Sequence, residues 1–174
     1  MLKLKHLFFL MLMVTNLSCQ NTKDNRGYIV EVGDKAPLFE TTLTNGDTFR
    51  LEDHKGKVVM LQFTASWCGV CRKEMPHIEK EIWQPYKDKG LVVVGIDRDE
   101  PLETVRKFAK ETGISYPLAL DPGADIFKLY AEDRAGVTRN VLIDKEGNII
   151  FLTRLFNEKE FSALVNKVDQ LMKN

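Results

Sequence analysis

The sequence predicts an α/β domain, a mixed β-sheet with helices on its faces. Three observations lead there. Residues 57–63 and 91–96 are two mostly apolar runs, as expected of strands buried on both faces. Between them Met75, Ile78, Ile82 and Tyr86 recur at helical spacing, so a helix joins the two as a parallel pair. Further on, a hairpin signal and an amphipathic closing helix add antiparallel strands and a second helical layer.

The elements follow in order. Residues 28–56 are a lead-in, in which Asn45-Gly46 is a two-residue turn signal between 39–44 and 47–51, predicting a hairpin. The first core strand is 57–63 and the first helix 69–87. The second core strand is 91–96. Asp97-Arg98-Asp99-Glu100 is expected to cap the next helix on the side of the strand ends. Pro101 stands near its first position, the helix covers 102–111, and Gly113 ends it. A short strand at 117–120 and an Asp121-Pro122-Gly123 turn lead into a short helix at 124–130. Residues 139–144 and 148–153 bracket Lys145-Glu146-Gly147 as a hairpin. Asn157 caps a final helix whose apolar stripe is Phe161, Leu164, Val165, Val168 and Leu171.

Composition bounds the function. The 174 residues hold 25 basic and 25 acidic side chains, with 44% apolar and 29% charged content. That is globular rather than disordered, and one domain in size. A neutral net charge argues against nucleic acid as a partner. Three cysteines are too few for a disulfide-built scaffold, and their odd number leaves one outside any internal pair.

The first 18 residues have the pattern of an export signal. Lys3 and Lys5 precede an unbroken apolar stretch from Leu7 to Val14, with no acid. The stretch is shorter than the roughly 20 apolar residues of a spanning helix. Ser18 before Cys19 resembles the lipobox of bacterial lipoproteins, although Asn16 stands where leucine is usual and Leu17 is one place late. The expectation is cleavage after residue 18, acylation of Cys19, a polar tether through residue 27, and a domain over 28–174. The alternative is an ordinary cleaved signal whose Cys19 is lost. Without Lys3 and Lys5 the chain keeps 23 basic and 25 acidic groups, a net of −2.

The chemistry sits in Trp67-Cys68-Gly69-Val70-Cys71, where the first core strand runs into the first helix. A helix N-terminus stabilises a thiolate, the reactive form of cysteine. Cys71, three residues on, lies on the same helical face at a spacing a disulfide can bridge. One thiol can attack a partner and the other release it. A structural zinc site would need more ligands than one pair with His54 and His77 at unsuitable spacing. A purely structural disulfide closing so short a loop would restrain little chain entropy. Two inert buried thiols fit poorly with the flanking tryptophan and glycine.

Residues 63–76, FTASWCGVCRKEMP, resemble the active-site segment of the thioredoxin superfamily, nearest its TlpA/ResA-type (redoxin) thiol–disulfide oxidoreductases. Residues 32–63 resemble the redoxin lead-in hairpin and first strand, and VLIDKEGNII the late hairpin. The resemblance implies a thioredoxin-like fold with an N-terminal β-hairpin extension. It implies Cys68 as nucleophile, Cys71 as resolving cysteine and Glu74 as proton acceptor. Trp67, Gly69, Val70, Val137 and Thr138 are then the substrate-binding surface, and Pro76 a helix-bending proline. It implies no cofactor beyond the Cys68–Cys71 disulfide and no metal. The implied partners are oxidised exported proteins and a membrane thiol carrier as electron donor, with the protein a monomer on its lipid anchor in the periplasm.

Two positions depart from the family pattern. Gln62 replaces a buried aspartate, so it cannot take a proton from Cys71. Thr138 stands where a cis-proline is usual; a cis bond there would cost about 3–4 kcal/mol, so a trans peptide is expected. A peroxiredoxin-like peroxidase is the alternative enzyme. However, Ala65 and Leu61 occupy the places of its threonine and proline, and Arg139 is out of register with its arginine. A thiolate metallochaperone is the non-enzyme alternative, without a methionine- or histidine-rich ligand set.

Overall fold

In the computed structural model, which describes residues 26–173, the lead-in forms the antiparallel pair β1 (Glu40–Thr42) and β2 (Thr48–Arg50). The hairpin is present, but its turn is not the two-residue kind. Five residues separate the paired Thr42 and Thr48. Leu43 bridges to Ala119 and the Thr44 N–H donates to the Leu118 carbonyl, so the loop is drawn onto the main sheet. The Asn45 side chain accepts from the Asp47 N–H and closes a local turn instead. The expected export signal, Cys19 and most of the expected tether lie outside the described residues.

Six consecutive buried residues make β3 (Val59–Thr64), the middle of a five-stranded sheet. Its neighbours are β4 (Val92–Arg98), parallel, and β6 (Arg139–Ile143), antiparallel. Next to β4 lies β5 (Leu118–Asp121), parallel; next to β6 lies β7 (Ile149–Arg154), antiparallel. The order is β5-β4-β3-β6-β7. This is the predicted mixed sheet, and the central strand is buried on both faces because helices cover them.

The first helix is α1 (Gly69–Ile78), continuing through a π-type turn over Glu79–Trp83 into α2 (Gln84–Tyr86). Pro76 does not end it. Pro76 lacks an N–H, and the irregularity it brings is taken up in the widened turn that follows. Next come α3 (Leu102–Thr112), ended by Gly113 in the left-handed region, and α4 (Phe127–Tyr130). The predicted helix 124–130 is shorter because Ala124 has a positive φ of 56°. The Asp121 carboxylate instead receives the Ile126 and Phe127 N–H groups, at 2.8 and 2.9 Å. Asn157 starts α5 (Glu158–Lys173), accepting from the N–H groups of Lys159 and Glu160. Among the described residues no helix is long and apolar enough to cross a membrane.

One expectation is overturned. Asp97-Arg98-Asp99-Glu100 does not cap α3: the cap residue is Pro101, with no side-chain bond. β4 runs on through Arg98, which takes Asp97 into the sheet between Thr64 and Leu120. The Asp99 carboxylate receives the Gly123 N–H, and that of Glu100 binds Ser66.

Gly95 shows how tightly the sheet is packed around its polar centre. It pairs with Gln62, and a Cβ added there would lie 2.3 Å from the Leu118 side chain and 3.5 Å from the Tyr116 ring. Beside it the Tyr116 hydroxyl donates to Gln62 Oε1, at 2.6 Å. Gly95→Val is therefore expected to destabilise the domain by about 1–3 kcal/mol through overpacking, measured as a lower urea midpoint at unchanged slope.

Candidate active site

β3 delivers its chain to the site at Thr64. Ala65, buried, accepts from the Cys68 N–H and bends the chain into α1. Cys68 then occupies the N-cap position of α1, where its Sγ accepts the Cys71 N–H at 3.1 Å. That N–H belongs to the third helical residue, one of the donors a helix start leaves unsatisfied. A sulfur at this point faces the positive end of the helix, which favours thiolate once the pair is reduced.

Cys68 and Cys71 form a disulfide with Cα atoms 5.3 Å apart. The two sulfurs differ in access. Cys68 keeps 8% of its surface exposed; Cys71 has none. Trp67 beside them is 66% exposed and walls a shallow open groove with Arg98, Asp99, Asp133 and Arg134. Gly69 is exposed and Val70 half-buried on the same turn, whereas the Val137 side chain is buried.

Thr138 meets the disulfide with its side chain. Its Oγ1 lies 3.1 Å from Cys68 Sγ and 3.2 Å from Cys71 Sγ. Disulfide sulfurs carry no proton, so the hydroxyl is the donor in this state. No peptide bond among the described residues is cis, in line with the expectation for this loop. The loop is held from below: the Thr138 carbonyl accepts from the Leu155 N–H at 3.1 Å and from Arg154 Nη1 at 3.4 Å. Arg154 also fills the space beside Gly136, where a Cβ would sit 2.2 Å from its Nη2.

Glu74 is one helical turn beyond Cys71, on the same buried face of α1. Its carboxylate receives Asn140 Nδ2 at 2.7 Å and Gln62 Nε2 at 3.3 Å. Asn140 Nδ2 also donates to Thr153 Oγ1 at 2.8 Å. Burial, the largest influence, pushes the Glu74 carboxyl up to about 7, while the bonds from Asn140 and Gln62 pull the other way. Gln62 cannot accept a thiol proton through its amide, but it orients the carboxylate that can. Asn140 escaped the sequence reading. The signal for it was a lone amide inside the buried strand β6, between Arg139 and an apolar run.

The remaining candidates are placed elsewhere. The Arg139 guanidinium lies over the Tyr28 ring, 4.4 Å from its centre, and donates to the carbonyls of Gly136 and Arg26. The His54 ring stacks on Phe49, and His77 Nδ1 is 2.9 Å from Glu81.

Two tests follow from this geometry. Thr138→Val keeps the shape and removes the donor. It is expected to raise the pH midpoint of Cys68 alkylation by about one pH unit, since one bond to a charged sulfur is worth about 1.5 kcal/mol or more. For Glu74, the folded carboxyl holds its proton up to about pH 7 and an unfolded one to about 4.5. The stabilisation this gives is fully present below pH 4.5 and is lost as pH rises through 7. It amounts to about 3 kcal/mol across that window. Glu74→Gln is expected to flatten the stability of the oxidised protein between these pH values by about 1.4 kcal/mol per pH unit, measured by denaturant unfolding.

The chain is similar to known proteins along most of its length. The Redoxin family model matches residues 31–170. The thiol–disulfide oxidoreductase ResA of Bacillus thuringiensis subsp. konkukian is 38% identical over 121 residues, covering 70% of this chain and 68% of the relative. The solution structure of a proposed protein disulfide isomerase from Bacteroides thetaiotaomicron superposes with a TM-score of 0.83 and 62% identity, over 85% of this chain and 94% of that one. The crystal structure of a proposed thiol:disulfide interchange protein DsbE from Chlorobium tepidum gives a TM-score of 0.73 and 30% identity, over 82% and 99%. With its cysteine pair at the start of α1 and its redoxin lead-in, the chain belongs to the redoxin family of the thioredoxin superfamily, as a TlpA/ResA-like thiol–disulfide oxidoreductase.

Proposed function

We propose that the protein reduces disulfides of exported proteins outside the cytoplasm, through a mixed disulfide on Cys68. The observation that carries the assignment is the unequal exposure of the two sulfurs at a helix start, with only Cys68 reachable. In the reduced enzyme the Cys68 thiolate attacks one sulfur of a substrate disulfide. The substrate's other sulfur leaves as thiolate and is protonated. Cys71 then gives up its proton to Glu74 and attacks Cys68 Sγ, releasing the second substrate thiol and closing the Cys68–Cys71 disulfide. The substrate gains two electrons and the enzyme loses two. A membrane thiol carrier returns them.

Trp67, Gly69, Val70 and the backbone of Val137 and Thr138 receive the substrate segment. The signal at residues 1–18, a lipid on Cys19 and a tether through residue 27 hold the monomeric domain 28–174 at the periplasmic membrane surface. The signal pattern and the Ser18-Cys19 junction support this location. The names of the ResA and DsbE relatives support the chemistry.

Insulin-disulfide reduction tests the activity. Wild-type protein is expected to turn over with a chemical reductant, and Cys68→Ser to be inactive; equal rates would refute the assignment. Glu74→Gln is expected to slow release of the mixed disulfide at least tenfold while leaving Cys68 alkylation near the wild-type rate.

A further inference from the structure

The segment that leads into the disulfide is tied down by one carboxylate. Glu100 accepts from both the N–H and the hydroxyl of Ser66, each at 2.5 Å, two residues before Cys68. Beside Glu100 is Asp97, fully buried at the end of β4. Neither Asp97 oxygen meets an N–H or O–H of any described residue. The Glu100 carboxylate, three residues on, raises the Asp97 carboxyl both through its charge and as a hydrogen-bonding neighbour. Two carboxylates are both acceptors and repel one another, so a hydrogen bond between them requires a proton.

We propose that Asp97 is a positioning residue: its carboxyl carries a proton and donates it to Glu100, and this acid–carboxylate pair fixes Ser66 and through it the Trp67–Cys68 turn.

The surroundings of Asp97 favour the proton. Burial acts most strongly, followed by Glu100 and then Asp121, and together they push its carboxyl up to about 8. Asp121, on the neighbouring strand β5, is itself raised by burial and has Asp125 and Arg98 as charged neighbours. Arg98 is engaged away from Asp97, over the Phe127 ring and on Asp133 and the Ala135 carbonyl. From β3 the residue in register is Thr64, which is uncharged. Both charged groups that act on Asp97 are therefore acids.

The test is a pH titration of the full-length oxidised protein by 15N NMR, in which the Cys68–Cys71 disulfide cannot titrate. The Ser66 amide resonance is expected to move with a midpoint near pH 8. In Asp97→Asn an amide donor replaces the acid permanently, so Ser66 is expected to keep its low-pH position from pH 6 to 9. Asp97→Leu, if it folds, is expected to show a displaced resonance at every pH; Asp97→Asn carries the test if it does not. Absence of the transition, or its persistence in Asp97→Asn, overturns the proposal. A transition that shifts with added calcium or disappears in EDTA overturns it in favour of a bound cation. In insulin reduction the ratio of wild-type to Asp97→Asn rates is expected to fall at least threefold between pH 7 and 9. This last reading rests on the proposed disulfide exchange. An intact NMR result with no turnover by either protein would refute the exchange and leave the carboxyl pair standing.

Discussion

A resolving thiol buried without any exposed surface needs a proton acceptor that tolerates burial with it. In the proposed exchange Cys71, with no exposed surface, sets that condition, and much of the surrounding structure is suited to it. An isolated carboxylate at the depth of Glu74 would cost several kcal/mol. Amide N–H donors from two strands offset that cost: Gln62 from β3 and Asn140 from β6. Gln62 is held in turn by the Tyr116 hydroxyl, which donates to its Oε1. The result is a carboxyl that burial raises and hydrogen bonds restrain, poised between its two protonation states near neutral pH.

The loop at Thr138 answers a different need. A proline at this place offers the sulfurs only carbon, whereas threonine brings a hydroxyl within 3.2 Å of both. A hydroxyl donor favours the thiolate form of either cysteine, so the loop takes part in setting which sulfur ionises. It can do so only if its position is fixed. The bonds from Leu155 and Arg154 to the Thr138 carbonyl, and the packing of Arg154 against Gly136, supply that.

Much of this was legible in the sequence, and the limits were physical. Apolar runs located β3 and β4, because a strand covered on both faces has no choice of composition. The cysteine pair located the site, because its spacing and its place before a helix are local properties. What arises between elements distant in the chain was not legible. Asn140 meets Glu74 across 66 residues, only because β6 lies antiparallel to β3. The Asn45-Gly46 turn was misread for the same reason: Thr44 bonds to Leu118, a partner no local rule supplies. Asp97 was taken for part of a helix cap because acids before a proline usually are; its burial follows from β4 extending between Thr64 and Leu120.

The two raised carboxyls near the disulfide illustrate how partners, rather than burial, decide what an acid does. Burial is the largest influence on both Glu74 and Asp97. Glu74 meets donors, which stabilise its charged form and bring its titration back to about 7. It is therefore suited to exchanging a proton with a thiol during turnover. Asp97 has another acceptor, Glu100, as its neighbour, which favours only its protonated form and, added to burial, raises it to about 8. An acid in that position is suited to holding its proton and acting as a fixed donor. If the partners were exchanged, an amide beside Asp97 would release the proton proposed to fix Ser66, and a carboxylate beside Glu74 would withhold the base that the proposed exchange asks of it. The fold separates the two roles by strand order: amides come to Glu74 from β3 and β6, while the acids gather where β4 and β5 end.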